Sequence, residues 1–181
     1  MMRQNCGMRP TPDDIGNFER ISQLGLLDPQ PADVLNTEKV RYALYTQFIV
    51  SAVDSLSVCW FVYGGAWQLY GPDRMLQALR AATGWNMSLW ELMKVGERRL
   101  NMMRAFNARE GAGKETDTVP PKLSIPLQGG ASDGVAVTIE EVEDAKTLYY
   151  RMAGWDTSGR PTRAKLEELA LTWLADAMRL E

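Results

Sequence analysis

Histidine is absent from this 181-residue sequence, and that one absence excludes a wide range of chemistry. No Ser-His-Asp triad, Cys-His dyad, histidine general base or His-ligated zinc can be built from the chain's own residues. Cysteine is scarce as well, with Cys6 and Cys59 alone. Two thiols and no imidazole fall short of the four ligands that a zinc or iron–sulfur site normally takes, so a metal at Cys59 needs three more ligands from outside the chain. Lacking a secretion signal, the two cysteines are not expected to pair with each other. Long apolar runs are missing: no stretch of roughly 18 apolar residues exists to span a bilayer, and Met1-Met2-Arg3-Gln4-Asn5-Cys6 lacks the apolar centre of a signal peptide. A cytoplasmic location with no membrane contact is expected. Basic charge is not in excess, the formal net charge being −3, so the positive stripe of a nucleic-acid binder is lacking and no such partner is expected. Neither Gly64-Gly65 nor Gly129-Gly130 sits in a phosphate-loop or dinucleotide-loop context.

What is present reads as a globular helical domain, with 45% hydrophobic and 24% charged residues. Six Trp and ten Met suit an irregular helical core or an interface. Residues 1–36 form a turn-rich arm in which Pro10, Pro12, Gly16, Pro29 and Pro31 prevent a long helix, leaving room for a short one over Asp13 to Gln23. From Thr37 the apolar positions Val40, Ala43, Leu44 and Phe48 recur at helical spacing to about Val53. Asp54 to Val62 then carries Leu56, Val58, Trp60 and Phe61 without a polar face, so burial on most sides is expected. Pro72 suits the first turn of a helix ending at Thr83. Ser88 followed by Glu91, and Thr138 followed by Glu141, are capping-box patterns, predicting helices over Leu89 to about Glu110 and from Thr138 to about Met152. Residues 114–134 read as one long Pro/Gly-rich loop, and Arg163 to Leu180 as one closing helix. The expected fold is all-α: a single irregular bundle of about five or six helices over residues 37–181.

The residue types alone point to few sites. Glu140-Glu141, Glu143-Asp144 and Glu167-Glu168 lie on helices with exposed faces and read as solvated charge. Arg98, Arg99, Arg104 and Arg109 on the Ser88 helix read as partners in ion pairs rather than ligand contacts, with an anion site left open. By itself Cys59 reads as a small buried hydrophobe, and Asp54 as a backbone-bonding residue at a helix end.

A set of ordered motifs changes that reading. Asp54-Ser55-Leu56-Ser57-Val58-Cys59 resembles the DxxGLC motif of the aldehyde ferredoxin oxidoreductase family, tungsten-pterin enzymes that oxidise aldehydes to carboxylic acids. Gly84-Trp85, Gly96-Glu97-Arg98, Phe106-Asn107-Ala108-Arg109-Glu110-Gly111, Asp117-Thr118-Val119-Pro120, Tyr149-Tyr150 and Gly154 to Thr162 follow in the family's order. The resemblance implies the last, all-helical domain of a three-domain protein, inactive alone. It implies that Asp54 and Leu56 contact one pterin of a tungsten or molybdenum bis-pterin, and that Cys59 is the fourth ligand of a [4Fe–4S] cluster and so faces a domain surface, more exposed than its apolar neighbours suggest. The implied partners are the N-terminal and middle domains of the parent and a ferredoxin-like electron acceptor. Ser57-Val58 replaces the family's Gly-Leu, and Gly7 stands where a family histidine aligns. A non-catalytic binding or assembly module that keeps the fold without the cofactors is the alternative.

Overall fold

The computed structural model describes residues 20–28, 30–31, 34–63 and 70–180. The expected helix over Asp13 to Gln23 falls largely outside the described residues; of its described part, residues 20–22 are helical. Cys6, Gly7 and Gly64-Gly65 also lie outside them. The helices are α1 (Thr37–Ser55), α2 (Trp60–Tyr63), α3 (Pro72–Thr83), α4 (Leu89–Arg109), α5 (Ile139–Ala153), α6 (Arg163–Glu168) and α7 (Thr172–Ala177), with short 3-10 turns at Pro121–Ser124 and Gly130–Ser132. No strand occurs among the described residues, and a lone antiparallel bridge joins Trp155 to Pro161. The fold is all-α, as the helical periodicity predicts.

Local chemistry sets the helix starts. Ser88 N–H and Oγ both donate to Glu91 Oε2, at 2.6 and 2.8 Å, and Glu91 N–H returns a bond of 3.2 Å to Ser88 Oγ. Thr138 and Glu141 make the same reciprocal box ahead of α5. These bonds satisfy orphan N–H groups of the first turn. Hydrogen bonds from the capping residue's backbone and side chain hold both carboxyls below the ordinary glutamate range.

The closing segment differs from the single helix expected. It stops at Glu168 and resumes at Thr172. Ala170 adopts φ +58°, with Ala170 N–H bonded to Glu167 O and Leu171 N–H to Leu166 O, the double bond of a Schellman turn. In a continuous helix Leu171 would sit about 140° around from Leu166. The turn brings it back, so that Leu166, Leu169, Leu171 and Ala175 are buried together.

The described residues fall into two compact units: those up to 31 with 45–100, and those of 32–44 with 101–180. In the first, Ile49, Ala52 and Val53 of α1, Met75 and Leu76 of α3, and Leu92 of α4 form the buried core. Gly96 lets α4 press on α1, since a Cβ there would stand 1.9 Å from Phe48 O. The second holds the α6–α7 cluster and a buried polar network around Arg104, described below.

Candidate functional site

The Asp54–Cys59 segment is shaped by the way α1 ends. Leu56 follows the last helical residue and its N–H still bonds Ala52 O at 3.0 Å. Ser57 then takes φ +54°. Its N–H bonds Asp54 O at 3.1 Å, and Val58 N–H reaches back to Val53 O at 3.5 Å, which together make a Schellman cap. Left-handed φ at this position is the natural place for glycine, and it is the position where Ser57 replaces the motif's Gly. The motif's glycine therefore has a local cause here, the handedness of the turn. The cap directs Leu56 and Val58 onto the core, where both are partly buried against the cluster of Ile49, Val53 and Leu92.

Burial on most sides, the expectation for Asp54 to Val62, is not what the structure shows. Asp54, Ser57, Cys59, Trp60 and Phe61 are exposed, Phe61 at 77%. The cap is the reason: it turns two of the apolar side chains inward, and α2, a single turn, has no buried residue. Cys59 is a free, exposed thiol, as the motif resemblance leads one to expect and unlike the buried hydrophobe that its apolar neighbours suggest. Asp54 Oδ1 accepts from Trp60 Nε1 at 2.7 Å, and Oδ2 accepts from Arg99 Nη1 at 3.0 Å. Sequence reasoning did not pair these three. Arg99 lies 45 residues from Asp54, and no local pattern announces a contact at that separation.

A carboxylate offers about four lone-pair sites, so Asp54 retains acceptor capacity on both oxygens. The exposed thiol and the half-used carboxylate fit one side of a cofactor site. They do not make a whole one: among the described residues no three His, Cys, Asp or Glu are grouped to hold a metal ion.

The other arginine of interest is structural. Arg104 is buried, 8% exposed. It donates from Nε to Gly159 O at 2.6 Å and from Nη1 and Nη2 to the two oxygens of Asp117 at 2.9 and 2.5 Å. Its guanidinium also lies 4.8 Å from the ring centre of Trp155, whose Nε1 donates to the buried Asn101 Oδ1 at 2.8 Å. Tyr150 Oη donates to Asp117 Oδ2. Burial alone would raise the Asp117 carboxyl, but the Arg104 and Tyr150 hydrogen bonds and the Arg104 and Lys146 charges outweigh it and hold it below the usual carboxylate range. Burial first, and then the bond to Asp117, push the Tyr150 hydroxyl up, so it stays a donor. The Asp117, Tyr149-Tyr150 and Gly154–Thr162 motifs thus meet in one network that ties the 154–162 turn to α4. Glu140 is exposed, Glu143, Glu167 and Glu168 pair with Lys146, Arg163 and Lys165, and Glu141 closes the capping box of α5.

A sequence profile described as "Aldehyde ferredoxin oxidoreductase, domains 2 & 3" matches residues 8–171. Proteins described as tungsten-containing aldehyde ferredoxin oxidoreductase from Thermococcus kodakarensis and Pyrococcus furiosus are 33% and 32% identical to the chain over 143 residues. Each alignment covers 78% of this chain and 22% of the relative, so the chain spans well under a third of those proteins. A solved chain described as the active site complex BamBC of benzoyl coenzyme A reductase with 1,5-dienoyl-CoA superposes with a TM-score of 0.64 at 20% identity, over 84% of this chain and 23% of that one. That likeness is one of fold.

Proposed function

The chain belongs to the aldehyde ferredoxin oxidoreductase family, and from that premise we propose that it supplies one side of a tungsten- or molybdenum-pterin site. The whole protein would oxidise aldehydes to carboxylates and pass the electrons through a [4Fe–4S] cluster to a ferredoxin-like acceptor. The observation that supports this is the joint exposure of Asp54 and Cys59 on one short segment rigidly capped onto the core.

Each residue has a role that its chemistry suits. The bound cofactor and cluster supply the two-electron chemistry and the electron path. The Asp54 carboxylate accepts from the amino and ring N–H groups of a pterin, using the lone pairs that Trp60 and Arg99 leave. Leu56, fixed between Asp54 and the cap, holds the base of that contact in place. Cys59, as its thiolate, is one of four cluster ligands, and the other three come from the parent protein's remaining length. Trp60 and Phe61, exposed beside it, exclude water once that remainder covers them.

Metal and pterin analysis of the cofactor-loaded protein tests this. Iron, sulfide, pterin and tungsten or molybdenum are expected in the native protein, and Cys59→Ser is expected to lower the iron content and change the cluster's electron paramagnetic resonance signal. A native protein free of metal and pterin would overturn the reading in favour of a non-catalytic module. Unchanged iron and an unchanged signal in Cys59→Ser would remove Cys59 from the ligand set.

A further inference from the structure

Two donors from different elements close on the Asp54 carboxylate. Trp60 Nε1, from α2, donates to Oδ1 at 2.7 Å, and Arg99 Nη1, from α4, donates to Oδ2 at 3.0 Å. Arg99 Nη1 also lies 3.3 Å from Ser51 Oγ, one turn before Asp54 on α1, which holds the guanidinium in register. We propose that Arg99 and Trp60 are positioning residues that lock the Asp54 carboxylate in the one orientation a pterin edge can use. This rests on the reading of Asp54 as the pterin acceptor.

The need for a lock follows from the shape of the ligand. A pterin presents an amino group and a ring N–H side by side, and a carboxylate engages both only when its two oxygens lie in the plane of those donors. Asp54 stands exposed on the last turn of α1, where the carboxylate of a lone aspartate turns broadly about its last side-chain bond. One bond to each oxygen stops that rotation. The same pattern leaves each oxygen a further acceptor site, which is the number a paired donor edge requires; two donors on a single oxygen would crowd one side and leave the plane free. Both partners are also pure donors. Neither can compete with Asp54 for the ligand's N–H groups, so both partners leave the carboxylate's remaining lone pairs to the ligand.

The experiment measures pterin release from the cofactor-loaded protein, followed by fluorescence of the oxidised pterin in solution, with thermal melting of each variant in parallel. Arg99→Met and Trp60→Phe are each expected to speed release roughly tenfold, the size found when an outer partner of a bound-metal ligand is removed. Arg99→Lys, which restores a donor, is expected to recover part of the loss. In an Asp54→Ala background, itself fast to release, adding Arg99→Met is expected to change nothing further, because the lock then has no oxygen to hold. If Arg99→Met and Trp60→Phe release at the native rate while Asp54→Asn is fast, the lock is wrong and the role of Asp54 stands. Native release by Asp54→Asn would overturn both. Should Arg99→Met still speed release in the Asp54→Ala background, Arg99 acts through the fold and the proposal fails. The indole N–H resonance of Trp60 in the cofactor-free chain gives an independent reading: Asp54→Ala, which removes the acceptor, is expected to move it, and an unmoved signal would show that the lock does not exist.

Discussion

Ser57 holds a left-handed backbone, φ +54°, and so does Ala170 at +58°. A side chain at such a position costs stability that glycine does not. Ser57→Gly and Ala170→Gly are each expected to stabilise the chain by about 0.5–1 kcal/mol, raising the melting temperature by roughly 1–4 °C; a fall in either midpoint would contradict the cap geometry. The reverse case is Gly96. Its missing Cβ would lie 1.9 Å from Phe48 O and 2.9 Å from Ala52 N, backbone atoms that cannot swing aside. Gly96→Ala is expected to cost about 3 kcal/mol or more, by analogy with overpacked cores, visible as a lowered urea midpoint. Gly159 is constrained differently: its φ of +80° is left-handed, and the atom 2.2 Å from its ideal Cβ is Arg104 Nη2, the end of a side chain that Asp117 holds in place.

At the scale of the element, α4 makes ion pairs to residues outside it, the half-buried Arg99 with Asp54 and the buried Arg104 with Asp117. Removing one partner of a buried ion pair leaves the other desolvated and unpaired. Asp117→Asn is therefore expected to destabilise by roughly 2–4 kcal/mol, and Tyr150→Phe, which loses one donor to Asp117, by about 1 kcal/mol. The pH dependence has a definite sign. The folded Asp117 carboxyl titrates below its ordinary value of 3.8, so the unfolded chain binds a proton first as pH falls. The pair's contribution is full above that ordinary value and is lost as pH drops below it, through the lower folded value. Urea melts at pH 7 and pH 3 should show a smaller acid loss in Asp117→Asn than in the native chain, and equal losses would remove Asp117 from the linkage. Glu91 and Glu141, held down by their capping bonds, titrate in the same direction at the starts of α4 and α5.

For the whole molecule, the chain matches 22% of the length of its relatives, and the function proposed above gives it one side of a site that other parts of the protein complete. Cys59 is exposed and Phe61 beside it is 77% exposed. Under native conditions Cys59 is expected to react with iodoacetamide in the isolated chain about as fast as a peptide thiol, and to be protected in the cofactor-loaded protein, with mass spectrometry reading the modified residue. Equal labelling in both would place the thiol outside the shared site. Among the described residues no helix is long and apolar enough to cross a membrane, in keeping with the absence of long apolar runs from the sequence.

Helix positions follow from information within a few residues of one another. The boxes at Ser88 and Thr138, Pro72 at the start of α3 and the spacing of Val40, Leu44 and Phe48 each act through local hydrogen bonds or one helical face, so the sequence by itself determined the all-α class and most helix limits. The ordered motifs likewise marked Asp54 and Cys59. The tertiary structure decided what those residues touch and whether they are covered. Hydropathy made Cys59 look buried, because composition cannot show that a Schellman cap turns Leu56 and Val58 inward and leaves Cys59 out. The break at Ala170 depends on Leu171 meeting Leu166 and Ala175, and the bond from Arg99 to Asp54 spans 45 residues. Contacts of that kind form only when separate elements pack, and a side chain's partner across such a distance is fixed by the backbone path between them.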